Sequence, residues 1–146
     1  MENLSANTKI SQVVTVAAGA SGSSDITGTV IDMSDYEGVL FVVPFGPITS
    51  GAATSIKVQG APTNVDGDFA DLLGTSQTVA DTADNTTFYI DLGKPQSRYV
   101  RLIVSRATQA STCAAFAIQY NGRVKPATHG TGVSGELHVS PAEGTA

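Results

Sequence analysis

Apolar residues recur at every second position along much of this chain. Ile56 and Val58 alternate with polar neighbours in Ser55-Ile-Lys-Val-Gln59. Phe88, Ile90 and Leu92 are in phase in residues 86–92, and Val100, Leu102 and Val104 in residues 98–104. Ala114, Phe116, Ile118 and Tyr120 repeat the pattern in the next run. Successive strand side chains point to opposite faces, so these runs predict strands with one buried side, and each apolar phase is expected to face the core. Residues 39–43, Val-Leu-Phe-Val-Val, are continuously apolar. They predict a central strand covered on both faces, partly by another subunit.

Weaker strands are expected at residues 10–16, with Ile10, Val14 and Val16 in phase, and at residues 26–31. Turn signals separate the runs: residues 18–24, Gly46-Pro47, Asn64-Val-Asp-Gly67, Asp84-Asn85, Lys94-Pro95 and Asn121-Gly122. The pattern predicts an all-β fold, a β-sandwich or jelly roll of about seven or eight antiparallel strands with extended terminal arms. Residues 69–73 suit one helical turn or a connecting strand equally well. No longer segment has a helical period.

Residues 10–121 are expected to form the sandwich, and residues 1–9 an N-terminal arm. From residue 122 to 146 the alternation stops and small residues dominate. Such a segment cannot pack a core of its own. It is read as a C-terminal extended arm laid on a neighbouring chain or as a disordered tail. Its apolar residues Val133, Leu137 and Val139 are candidate partner contacts, and residues 135–139 are strand-like.

Charged residues make up only 14% of the chain, below the usual quarter or so, which leaves neutral surface for a partner to cover. The net charge is −5 with eight basic residues, so nucleic acid is not an expected partner. Asp66, Asp68, Asp71, Asp81 and Asp84 are expected on solvated turns. Cys113 is the single cysteine and lies in an apolar run, which predicts a buried, inert thiol. The start lacks a basic region, and no apolar run approaches the roughly 18 residues of a spanning helix. No membrane partner is expected, and synthesis in a cytoplasm is.

Chemistry-bearing motifs fail on context. Gly130-Thr-Gly-Val-Ser-Gly135 spells the dinucleotide fingerprint, but neither a strand before it nor a helix after it is predicted. An EF-hand aligned on Gly67 would run from Pro62 to Leu73, neither of them a ligand; a looser calcium site at Asp66 and Asp68 stays open. The two histidines, His129 and His138, lie in the tail and do not cluster with cysteine. Paired carboxylates could serve sugar cleavage, but there is no tryptophan for stacking. Asn3-Leu-Ser5 and Asn85-Thr-Thr87 match a glycosylation pattern that matters only after export. No catalytic residue, cofactor or metal is assigned, and the expectation is a protein that is not an enzyme.

Lys94, Arg98, Arg101 and Arg106 cluster in sequence. Alternation points Arg101 away from Val100 and Leu102, while Arg98 shares the apolar phase and would sit at its edge. Edge protection and ordinary surface pairing are one reading. The other is docking on an acidic partner or a neighbouring subunit, with Arg98, Tyr99, Arg101 and Arg106 as candidate contacts.

The block running from Ser55-Ile-Lys-Val-Gln-Gly60 through Asp66-Gly-Asp-Phe-Ala-Asp-Leu72 to Arg98-Tyr-Val-Arg-Leu-Ile-Val-Ser-Arg106 resembles the capsid decoration (cement, head-stabilising) proteins of tailed phages. The resemblance covers residues 37–121 and is one of overall texture. It implies a β-sandwich body, a homotrimer, and binding to the major capsid protein near three-fold positions, on the virion surface. It carries no individual functional residue across. Arg98-Tyr-Val-Arg-Leu-Ile-Val104 also resembles the late strand of discoidin-type carbohydrate-binding jelly rolls. That resemblance implies a glycan partner, with Tyr36, Tyr89, Tyr99 and Tyr120 as the only tyrosines.

Overall fold

A computed structural model describes residues 3–139 and 142–144. A short helix, α1 (Leu4–Asn7), precedes eleven strand segments: β1 (Lys9–Val14), β2 (Ile26–Thr27), β3 (Ile31–Asp32), β4 (Gly38–Ile48), β5 (Ala53–Ala61), β6 (Ala70–Asp71), β7 (Gln77–Val79), β8 (Thr87–Gly93), β9 (Tyr99–Ala107), β10 (Ser111–Cys113) and β11 (Ala115–Tyr120). All strand pairs are antiparallel and fall into two sheets.

Several segments are one strand interrupted. β11 pairs Phe116 with Val42, and β10 continues on the same edge of β4 with Cys113 opposite Phe45. β2 and β3 follow one edge of β9, and β6 and β7 one edge of β5. The eleven segments therefore trace eight strand lines. Sheet I runs β1, β10/β11, β4, β8. Sheet II runs β2/β3, β9, β5, β6/β7. In chain order this is 1-8-3-6 facing 2-7-4-5, the connectivity of a jelly roll. The all-β sandwich expected from alternation is what forms.

The core lies between the sheets. Sheet I contributes Val39, Phe41, Val43 and Ile90; sheet II contributes Ile56, Val58, Val100, Leu102 and Val104. Phe45 and Phe88 meet edge to face at 5.7 Å. Two buried polar side chains tie the layers at opposite ends. At one end, Gln119 on β11 donates from Nε2 to the Asp32 carbonyl at 2.8 Å. At the other, Arg106 on β9 donates to the carbonyls of Ser24 (2.6 Å), Ala20 (2.9 Å) and Ser111 (3.0 Å).

The structure departs from the sequence pattern in four places. On β11 the phase expected inside, Phe116, Ile118 and Tyr120, is the half-buried outer one; Ala115, Ala117 and Gln119 face the core. The neighbouring β4 already presents Val39, Phe41 and Val43 to the core, which leaves room at positions 115 and 117 only for small side chains, while Gln119 at the strand's end reaches out to Asp32. Residues 10–16 do not keep one phase. The register of β1 shifts between Gln12 and Val14, so Val13 and Val14 are both buried and Val16 is exposed. Gly46-Pro47 is not a turn but the continuation of β4. Pro47 falls beyond the last β8 pair, Pro44–Thr87, and on the other edge within the register shift between the β10 pairs Phe45–Cys113 and Ile48–Ser111, where a missing N–H is tolerated. Residues 26–31 are broken at Gly28, whose N–H reaches Leu102 O at 2.8 Å.

Residues 69–73 take the connecting-strand form, after a single 3-10 turn at Asp66–Asp68. The segment after β11 folds back on its own chain. Ala127 N–H donates to Ala6 O (2.9 Å), Gly130 N–H to Ile10 O (2.8 Å), and Ile10 N–H to His129 Nδ1 (3.1 Å). These contacts explain two of the three glycines of the false fingerprint. A Cβ on Gly130 would stand 2.7 Å from Ser11 Oγ, and Gly132 has φ +79.

Candidate functional site

Seven side chains were singled out by sequence as contact candidates, and the fold distributes them over three places. Arg98, Tyr99 and Arg101 lie at one end of sheet II. Arg98 is exposed and donates from Nε and Nη2 to both oxygens of Asp32, at 3.1 and 2.9 Å. That pairing, opposed by partial desolvation, holds the Asp32 carboxyl at about 2, well below the usual carboxylate range. Its guanidinium also stands 5.0 Å from the Tyr99 ring centroid.

Arg101 points outward from sheet II, as alternation predicted, but its side chain is only 12% exposed. It pairs with Asp66, donates to Gln59 Oε1 at 2.9 Å and stacks over Phe69 at 4.1 Å. Asp71 joins the same group, accepting from Lys57 Nζ (2.7 Å) and Gln59 Nε2 (2.8 Å). The charges on this face are matched within the chain. The neighbouring acids are engaged as well: Asp68 with Thr63 Oγ1, Asp81 with Gly51 N–H, and Asp84 with Ile48 N–H.

Arg106 is elsewhere. It is 7% exposed, and its guanidinium is committed to three carbonyls inside the chain. Docking through it would require opening that network; its place is structural. Cys113 is buried too, and burial pushes its thiol pKa up, although nearby Arg106 pulls the other way.

Val133 and Leu137 are brought beside the outer face of sheet I. Together with Ile10 and His129 they line a cavity of about 360 Å³. Val133 also borders a second hollow of about 260 Å³ with Gln12 and Phe116. Val139 is exposed.

Sequence reasoning touched that outer face only through residues 39–43 and missed the neighbours that complete it. β4 points Leu40, Val42 and Pro44 outward; the paired β11 residues are Phe116 opposite Val42 and Ile118 opposite Leu40. β1 adds Ile10 opposite Ile118, and β8 adds Tyr89 opposite Val42. Tyr89 is 64% exposed. Asp91 is the one charged side chain among these outward positions of the paired strands, and it accepts from Tyr120 Oη at 2.7 Å. That bond and burial raise the Tyr120 pKa. The centre of the face is therefore apolar and uncharged across β11 and β4, with the tail lying along one margin. Its signal in the sequence was the unbroken apolar run at residues 39–43 next to a strand whose large and small residues alternate.

No family model and no curated protein matches the chain. Among solved structures, it is similar to the SPBc2 prophage-derived protein YomS, with a TM-score of 0.46 and 13% identity over 77% of this chain and 93% of that one. It is also similar to PirA, with a TM-score of 0.38 and 14% identity over 83% of this chain and 97% of that one.

Proposed function

We propose that this chain is a non-enzymatic structural protein of a virion, which decorates and stabilises a phage capsid. It binds the major capsid protein as a homo-oligomer, a trimer in the form the sequence resemblance implies. The outer face of sheet I is the contact surface, and the tail around Val133 and Leu137 extends it. One observation carries this reading: β11 turns Phe116 and Ile118 out and keeps Ala115 and Ala117 in. Large apolar side chains placed outward on the central strands of a sheet gain only when something covers them. Completing the burial of each contributes roughly 1 kcal/mol, about half of what full burial gives. Repetition over a lattice multiplies a modest contact into substantial resistance to internal pressure.

The test compares particles with and without the protein. Heat should open the undecorated particles at a lower temperature, and a reconstruction of decorated ones should place sheet I against the shell or a sister subunit. Equal thermal resistance would remove the stabilising role. Copy number is the second readout: hundreds per particle fit decoration, whereas a dozen or fewer fit a head-completion or tail component.

The exposure of Tyr89 on the same apolar face favours one alternative, a glycan-binding module. Binding of a defined sugar on an array, lost in Tyr89→Ala or Tyr99→Ala, would favour that reading over decoration.

A further inference from the structure

A third surface lies at the end of the sandwich where β4 and β9 begin, away from the apolar face. Three connections meet there: residues 33–37 between β3 and β4, residues 94–98 between β8 and β9, and residues 121–123 after β11. Backbone bonds fix them to one another. Lys94 N–H donates to Glu37 O (2.7 Å), Met33 N–H to Arg98 O (2.8 Å), and Arg123 N–H to Asp35 O (2.9 Å). Lys94 and Asn121 hold left-handed backbone, φ +48 and +53, a conformation that costs a residue other than glycine about 1 kcal/mol or more. Between these loops is an open cavity of about 440 Å³, within the size range of small-ligand sites.

Its lining is unusual for so acidic a chain. Lys94, Arg98 and Arg123 all line it, and among the described residues Glu37 is the one carboxylate that does. Arg98 is already neutralised by Asp32. Among the described residues, Lys94 and Arg123 make no ion pair, unlike Lys57 and Arg101. The loops hold three acids, Asp32, Asp35 and Glu37, against these three bases, and Asp35 also acts on Arg98; the positive excess lies on the cavity wall itself, where Lys94 and Arg123 face only Glu37. Asp35 is near enough to help raise the Tyr36 pKa, after burial, but does not line the cavity. Tyr36 and Gln96 add neutral polar groups to the wall.

We infer that this cavity binds a singly charged carboxylate, with Lys94 and Arg123 as its cations and Tyr36 and Gln96 beside them. The ligand is the size of one acidic sugar or one acidic peptide side chain. The inference is independent of the capsid reading, since it concerns the loop end of the sandwich and not the outer face of sheet I, and is read out on the purified chain.

The experiment is a titration of the isotope-labelled full chain, at low salt, with glucuronate, acetyl-Glu-amide, inorganic phosphate and glucose. Glucuronate or the capped glutamate should shift the backbone signals of Lys94, Gln96 and Arg123 at millimolar concentration. The tighter of the two identifies the source as sugar or protein. Lys94→Gly, which suits the left-handed backbone, and Arg123→Gln should each weaken binding by roughly tenfold, the size of one charge-assisted hydrogen bond. Lys57→Gln, with the same change in net charge, should leave it intact. Three results would each overturn the proposal: no shifts with either carboxylate, equal shifts with glucose, or tighter binding of phosphate. So would wild-type affinity in both cavity variants.

Discussion

Lys57, Gln59 and Arg101 stand on the outer face of sheet II; Leu40, Val42 and Ile118 stand in comparable places on sheet I. Both sets belong to the central strand pairs of antiparallel sheets whose inner faces are packed with Val, Ile, Leu and Phe. On sheet II the outward residues settle their hydrogen bonds among themselves. Arg101 takes Asp66 and Gln59, Lys57 takes Asp71, and Phe69 lies under the guanidinium. A face so arranged is complete in water. On sheet I the outward residues have no comparable arrangement available, because hydrocarbon side chains carry no donor, acceptor or charge to pair and gain only by leaving water. One face finishes its contacts within the chain, and the other leaves them for a partner.

The sharpest way to break this contrast is a charge on the apolar face. Val42→Lys or Ile118→Lys should lower capsid binding or self-association by roughly a hundredfold or more, since an unpaired charge buried in an interface costs about 3–5 kcal/mol. Sedimentation and particle-binding assays measure it. Both side chains are half-buried, so thermal unfolding of the monomer should move little. Undiminished assembly in both variants would show that the face is not where contact is made.

The inverted phase of β11 can be tested from inside. Ala117 is fully buried. Ala117→Leu should destabilise the fold by about 1–3 kcal/mol through overpacking, whereas Ile118→Ala, one residue away, should cost the monomer less. Urea unfolding of the two variants compares them directly; the reverse order would mean that the strand faces the other way.

Sheet II should show the opposite separation of effects. Arg101→Met gives up an ion pair, a bond to Gln59 and stacking on Phe69, and should cost about 1–2 kcal/mol of stability while leaving assembly unchanged. Loss of assembly in a folded Arg101→Met protein would move the contact surface to this sheet.

The smallest effect expected is a pH dependence. The pairing with Arg98 lowers the folded pKa of Asp32 to about 2. Because the value is depressed on folding, the stabilisation is full above the ordinary carboxylate range near 4 and is lost as pH falls through about 2. The pair is exposed, so solvent screening limits it to about 0.5 kcal/mol. Asp32→Asn should flatten the stability profile between those values by that amount. An unchanged profile would mean that the pair contributes nothing in solution.

Much of the fold is legible in the order of residues. The in-phase runs Phe88-Ile90-Leu92 and Val100-Leu102-Val104 pointed to the core and face it, because on those strands the apolar and polar phases differ sharply. β11 was read the wrong way round because both of its phases are apolar or neutral; period two then identifies a strand but not its inner side. The basic cluster was legible only as a cluster. Arg98, Arg101 and Arg106 are neighbours in sequence, yet one forms a surface pair, one a stacked network and one a buried tie. Sequence spacing records the phase of each relative to β9; what each meets comes mostly from segments tens of residues away.

Alternation by itself determined that this chain would form strands, that they would be stacked in two layers, and that the stretch after Tyr120 could not build a core alone. These follow from local geometry, in which neighbouring side chains on extended backbone diverge. Only the tertiary structure decided which apolar phase would be inside, because that depends on the volume already filled by the neighbouring strand. It also decided which cations would find carboxylates and which would be left lining a cavity, because charge pairing acts between residues the chain brings together only once it is folded.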